Sequence, residues 1–287
     1  MPLRLGRQLF ADTDLLVMAI INRTPDSFYD KGATFDDGAA LAAVDAAVRD
    51  GADIVDIGGV KAGPGVEVDA AEEARRTVPL IREVRARHPD LVISIDTWRA
   101  EVGEAAVEAG ADLLNDTWSG ADPGLAKVAA RTGAALICAH AGGLAPRSRP
   151  HRANFPDVVT DVVTRVTRLA EDAVAAGVRA DGILIDPAHD FGKNTWHSLA
   201  VTRELETLVA TGWPVLVALS HKDFIGETLD LPVDDRLEGT LATTAVSAWL
   251  GARVFRAHDV RPTRRVLDMV ASIRGTRPPT ATRRGLA

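Results

Sequence analysis

Short apolar runs alternate along this chain with longer segments that have helical spacing, and almost every apolar run stops at a polar residue. LLVMAII stops at Asn22, DIVDIGG at Asp56, LVISI at Asp96, DLL at Asn115, ALICA at His140, ILI at Asp186, VLVAL at Ser220 and VFRAH at Asp259. Uniformly apolar runs of this length read as strands covered on both faces, as in a parallel sheet. Between them, residues 36–50, 70–88, 99–109, 157–176 and 236–250 have the patterning and length of helices, so strand and helix alternate about eight times. Each parallel strand pair needs a crossover, and eight such units in 287 residues predict a single-domain α/β protein, a closed (β/α)8 TIM barrel. An open doubly wound sheet fits less well. No G-x-G-x-x-G follows the first strand, and polar residues end nearly every strand instead of gathering at one switch point. In a barrel all of these ends meet on one face, where barrel enzymes place their chemistry. The expected layout is a lead-in over residues 1–13, the barrel over 14–275, and a mobile or surface-docked tail over 276–287, where RPPTATRRGLA has little to bury.

Charge narrows the partners. The chain has 33 Lys and Arg against 40 Asp and Glu, a net charge of -7, so no nucleic acid is expected as a partner. A hydrophobic share of 46% is enough for a large core. No apolar run approaches a membrane span or a secretory leader, and Cys138 stands alone within ALICAH. The expectation is a cytoplasmic protein without a membrane partner, with Cys138 buried as a small hydrophobe.

The strand ends carry the candidate chemistry. After Asn22, Thr24-Pro25-Asp26-Ser27 offers turn chemistry, and Phe28 and Tyr29 supply rings for a loop that can fold over a ligand. Asn22 offers an amide oxygen to a hard cation or to neighbouring backbone, and spacing alone favours the backbone. Residue type leaves other choices open. Asp96 precedes a helix it could cap, Asn115-Asp116 suits a turn, Lys222 could be solvated, Asp53 and Asp56 share a strand, and Asp259 could orient His258 or cap the next helix. His189, Asp190 and His197 are irregularly spaced with no Cys among them, a poor zinc pattern.

In sequence order these blocks carry a resemblance. NRTPDSFYDKG resembles the N-V-T-P-D-S-F-S-D-G-G signature of dihydropteroate synthases, and DIGG, SIDT, NDTWSG, DPAHDFGK, SHKDFIG and RAHDV resemble that family's later blocks, covering the chain from Met18 to Val260. The resemblance implies a TIM barrel that joins a pterin bearing a CH2-pyrophosphate to the amine of p-aminobenzoate, releasing pyrophosphate without a covalent enzyme intermediate. It implies that Asp96, Asn115 and Asp186 hold the pterin, with Asp56 as a further position. Lys222 would hydrogen-bond the pterin and border the p-aminobenzoate site, so Lys222 and Asp186 are the candidates closest to the reaction. Arg256 and His258 would contact pyrophosphate, Asn22 would reach Mg2+ carried with it, and the late helices would form a homodimer.

The departures from that pattern gather in the loops. Where the family has E-S-T-R-P-G after DIGG, this chain has Val60 to Gly65, with Ala62 for the threonine and Gly63 for the arginine. That arginine helps hold the leaving group, and Lys61 or Arg23 are the nearest replacements in sequence. Ala188 and Asp190 replace glycines, His221 an arginine, Asp223 a serine and Arg23 a valine, and the M-H-M-R-G block lacks its arginine at His140 to Gly143. The expectation is a paralogue that keeps its pterin slot and has weak, absent or redirected synthase activity. The alternatives are a competent synthase, a non-catalytic pterin-binding regulator, and a methyltetrahydrofolate methyltransferase; against the last stand the SHKDFIG block and the absence of a corrinoid module.

Overall fold

The computed structural model describes residues 1–24, 36–148 and 154–284. The loop residues Pro25, Asp26, Ser27, Phe28 and Tyr29 lie outside the described residues.

Strands β1 (Leu3–Leu5) and β2 (Gln8–Phe10) form an antiparallel hairpin. Then follow β3 (Leu16–Asn22), α1 (Asp37–Arg49), β4 (Ile54–Gly58), α2 (Ala70–Arg87), β5 (Val92–Asp96), α3 (Ala100–Glu108), β6 (Leu113–Asp116), α4 (Gly124–Thr132), β7 (Ala135–Ala139), α5 (Val158–Ala175) and β8 (Ile183–Asp186). The chain closes with α6 (Thr195–Arg203), α7 (Leu205–Val209), β9 (Leu216–Ala218), α8 (Asp223–Leu229), α9 (Leu237–Trp249), β10 (Val254–Ala257) and α10 (Val260–Ile273). Strands β3 to β8 pair in sequence order, all parallel; β10 returns beside β3, and β9 lies beside β10. A parallel bridge between Ile185 and Val215 joins the last two edges, with the Ile185 N–H donating to the Pro214 carbonyl at 2.9 Å. The eight strands thus form the expected barrel.

The five helices read from the sequence form within a residue or two of their expected ends. Three begin at an aspartate whose carboxylate accepts from the exposed first-turn amides: Asp36 before α1, Asp69 before α2 and Asp157 before α5. Along α5, Val158, Val162, Val166, Ala170 and Ala173 form the buried stripe against the strands.

Strand alternation explains how polar residues come to stand inside an apolar barrel. On β3, Val17, Ala19 and Ile21 pack outward against the helices, whereas Leu16 and Met18 point into the barrel. The inward layer nearest the strand starts is apolar, with Met18, Ile54, Val92, Leu113, Leu184 and Val254, and the hairpin's Leu3 and Leu5 pack under it, fully buried. The lead-in is therefore the barrel's floor. Two residues further on, the inward positions become polar: Asp56 after Ile54, Ser94 after Val92, Asn115 after Leu113, Asp186 after Leu184 and Arg256 after Val254. Asp56 does not end its strand; β4 runs on to Gly58, which places this carboxylate inside the barrel.

Candidate functional site

A hydrogen-bonded charge network crosses the barrel just below its mouth. Asp56, with no exposed surface, accepts from Ser94 Oγ at 2.6 Å, Asn115 Nδ2 at 3.0 Å and Arg256 Nε at 2.6 Å. Arg256 also donates Nη2–H to Asp96 Oδ2 at 2.9 Å, and the other Asp96 oxygen accepts from Thr117 Oγ1 at 3.0 Å. Asp96 therefore does not cap α3, and Asn115 is not a turn former. Buried charges persist only when paired and hydrogen-bonded, and one guanidinium satisfies two carboxylates here. Burial, reinforced by Asp56 and Glu73 against Arg256 and Thr117, pushes the Asp96 carboxyl up to about 7.

Asp186 and Lys222 stand on the other side of the mouth. The Asp186 carboxylate accepts from the Ala188 N–H at 2.7 Å, and burial raises its pKa against the pull of that bond, Lys222, Lys193 and Arg256. Lys222 is partly buried and held in place. Its ammonium donates to the His189 carbonyl at 2.6 Å and lies 4.5 Å from the centre of the Phe191 ring, and burial lowers its pKa against Asp190 and Asp186.

Above this network lies a cavity of about 120 Å³, lined in part by Asn22, Asp96, Lys222, Arg256 and His258. Five of the expected site residues thus share one wall, while Asp56, Asn115 and Asp186 sit beneath or beside it. His258 is held by Ser220, whose Oγ lies 3.0 Å from Nδ1. Asp259 reaches the other histidine instead: its carboxylate lies 2.6 Å from Nε2 of His221, and it makes no side-chain cap on α10. Among the described residues, no three His, Cys, Asp or Glu side chains converge where an ion could sit.

A second cavity of about 620 Å³ adjoins the first and shares Lys61, Ala62 and Phe191 with it. Trp118 and Phe224 add ring surface, and Asp190, Asp223 and Glu227 stand on the side formed after β8 and β9. Lys193 lines it too, but its ammonium is consumed below the surface. Nζ lies within 3.1 Å of the His140, Ala188 and Phe191 carbonyls and 2.8 Å from His140 Nδ1, tying the loop after β8 to the end of β7. Burial lowers the Lys193 pKa to about 7 and, with Lys193 beside it, the His140 pKa to about 4. Cys138 is buried, its thiol held well above the ordinary value by burial.

Three substituted loop positions, two of them glycines in the family pattern and the third an arginine, hold a backbone that suits glycine. Ala188, Asp190 and His221 have φ of 49°, 67° and 55°, the left-handed region, which costs a non-glycine residue about 1 kcal/mol each. At Gly63 a Cβ would meet nothing within 4 Å among the described residues. Arg23 does not turn toward it: the guanidinium is buried, donating to the Arg76 carbonyl at 2.9 Å and pairing with Asp37. Lys61 does line both cavities.

Reasoning from sequence gave no site role to Ser94 or Thr117, and noted Ser220 only as a strand end; these are the hydroxyls that hold Asp56, Asp96 and His258. Ser94 was findable, since it is the polar inward residue two before Asp96. Thr117 and Ser220 follow their strands, where alternation gives no guide.

The protein is a (β/α)8 barrel whose mouth gathers buried carboxylates, an amide and a lysine. The family described as pterin binding enzyme matches residues 18–258, and this chain belongs to it. It is 59% identical over 286 residues to a protein of Mycobacterium leprae (strain TN) named inactive dihydropteroate synthase 2, covering 98% of each chain. Among solved structures, Yersinia pestis dihydropteroate synthase in a sulfonamide drug complex superimposes with a TM-score of 0.91 at 33% identity, over 96% of this chain and 100% of that one. Xanthomonas albilineans dihydropteroate synthase with 4-aminobenzoic acid gives a TM-score of 0.86 at 33% identity, over 95% and 98% of the two chains.

Proposed function

We propose that this protein binds a pterin in the barrel mouth and is a weak or inactive dihydropteroate synthase. One contrast carries the reading: Asp96, Asn115, Asp186 and Lys222 stand assembled around the mouth, while Ala62 and Gly63 offer neither hydroxyl nor guanidinium where a leaving pyrophosphate must be stabilised. The relative named inactive, 59% identical over almost the full length, supports it. The pterin's amine and amide edge is a row of donors, for which the carboxylates of Asp186 and Asp96 and the oxygen of Asn115 are acceptors. Lys222 supplies a donor at the opposite edge, toward the shared Phe191 wall.

Arg256 and His258 border the same cavity and would meet phosphate oxygens. Arg256 must loosen its hold on Asp56 or Asp96 to do so, which sets a cost that an active synthase has to recover in the transition state. The fit to magnesium is partial. Asn22 is a single amide oxygen, and Mg2+ prefers six oxygens in an octahedron, so the ion would come with phosphate oxygens and water. Bound there, it would neutralise charge on the leaving group. A p-aminobenzoate molecule would have to lie in the second cavity, beside Phe191.

A cytoplasmic homodimer completes the proposal. Val246, Trp249, Met269 and Ile273 on α9 and α10 are exposed, an apolar face suited to a second copy. No described helix is long and apolar enough to cross a membrane. The test measures dihydropteroate formation and pyrophosphate release together, since hydrolysis alone gives only the second. Turnover reduced by roughly two to four orders of magnitude relative to an active synthase agrees with the loss of a few contacts of this kind; robust dihydropteroate synthesis overturns the proposal in favour of the competent enzyme.

A further inference from the structure

An arginine that sequence reasoning did not single out reaches the backbone of Gly63. Arg147, in the loop between β7 and α5, donates Nε–H to the Gly63 carbonyl at 3.3 Å across 84 positions of sequence. Gly63 lines the second cavity, and so do Leu144 and Ser148 on either side of Arg147, so this bond holds the guanidinium next to residues that line it. The bond uses only one of the five N–H donors of the fork. The two terminal nitrogens make no hydrogen bond or ion pair with the described residues.

The charges nearby are otherwise committed. Asp223 pairs with Arg236 at 2.9 Å, Asp190 accepts from Ser198 Oγ and the Phe224 N–H, and Glu227 accepts from Thr195. All three stand on segments that follow β8 and β9, whereas Arg147 follows β7. The Lys193 ammonium is spent on four acceptors. A half-buried guanidinium with its forked edge open, next to a cavity walled by Trp118 and Phe191, suits an oxyanion carried on or beside a flat ring.

We infer that Arg147 is the anion-recognising residue of the second cavity, brought in from the loop after β7 to the place where residue 63 supplies no side chain. Its ligand group is a carboxylate or a phosphate oxygen. The inference rests on the pterin reading for the identity of the neighbouring slot, but the Arg147 contact itself does not depend on a pterin being present.

Two calorimetric arms test it, each run on the ligand-free protein and on protein saturated with 6-hydroxymethyl-7,8-dihydropterin. One titrates 4-aminobenzoate against its neutral isostere 4-aminobenzamide; the other titrates inorganic pyrophosphate with magnesium. Arg147→Ala should weaken 4-aminobenzoate or pyrophosphate about tenfold or more while changing 4-aminobenzamide less than about twofold. Arg147→Lys, which keeps the charge and loses the fork, should recover part of the loss. The arm that responds identifies carboxylate or phosphate as the group bound. Equal weakening of acid and amide would make Arg147 only a tie between two loops, and no change, or no acid and no pyrophosphate binding to the wild type, would also overturn the inference. Pterin binding is read in the saturation step, so its failure is seen separately from any failure at Arg147.

Discussion

Replacing Asp186 by asparagine separates pterin recognition from the integrity of the fold. In the free protein this carboxylate makes one polar contact that matters to the backbone, the 2.7 Å bond from the Ala188 N–H, and an amide oxygen can still accept that bond. Burial already raises the Asp186 pKa, so removing the charge relieves a desolvation cost. The variant should therefore unfold within about 1 kcal/mol of the wild type. A bound pterin sees the change differently. Its donor edge loses a charged acceptor and meets an NH2 group in place of one oxygen, an exchange worth about 1.5–3 kcal/mol. That corresponds to a roughly 10- to 150-fold weaker Kd. Urea unfolding and pterin titration on the same preparation provide the assay. An unchanged pterin affinity in a folded variant would refute the placement of the pterin against Asp186.

Three further outcomes are expected. Ala62→Thr with Gly63→Arg should raise dihydropteroate formation measurably, since a Cβ at 63 meets nothing within 4 Å among the described residues, yet leave it below an active synthase while Ala188, Asp190 and His221 remain; no gain in product would remove this loop as a main cause. Leu5→Ala should lower the unfolding free energy by about 2–5 kcal/mol, because Leu5 is wholly buried against the barrel floor; a loss below about 1 kcal/mol in urea titrations would show that the hairpin is not part of the core. Asp96→Asn should gain stability relative to the wild type as pH rises. The folded carboxyl titrates at about 7 against an ordinary value of 3.8, so its contribution is fully present below the ordinary value and is lost as pH rises through the folded one. Unfolding free energies compared at about pH 5 and pH 8 check the sign, and a constant gap between the two proteins would contradict it.

Much of the fold was legible because the barrel repeats one simple unit. Apolar runs ending in polar residues marked the strands, and helical patterning between them marked five helices, three of which the structure shows capped by the carboxylates of Asp36, Asp69 and Asp157. The hairpin was not legible: three-residue strands such as Leu3–Leu5 are too short for a pattern, and only the barrel gives Leu3 and Leu5 something to cover. At the site, residue types and order pointed to the strand ends, but who bonds whom is a matter of three dimensions. Asp56 lies inside the barrel because its strand continues for two more residues, and Arg256 spans Asp56 and Asp96 only because β10 closes beside β3. Arg23, adjacent to Asn22 in sequence, is buried against the Arg76 carbonyl and Asp37, whereas Arg147, 84 residues from Gly63, reaches the Gly63 carbonyl.

The most direct measurement is a calorimetric titration with 6-hydroxymethyl-7,8-dihydropterin pyrophosphate and magnesium, followed by injection of p-aminobenzoate into the saturated protein. A retained pterin slot with a disabled leaving-group loop predicts saturable heat in the first step and no sustained reaction heat in the second. Absence of saturable binding in the first step, or turnover heat at the rate of an active synthase after p-aminobenzoate, would contradict it.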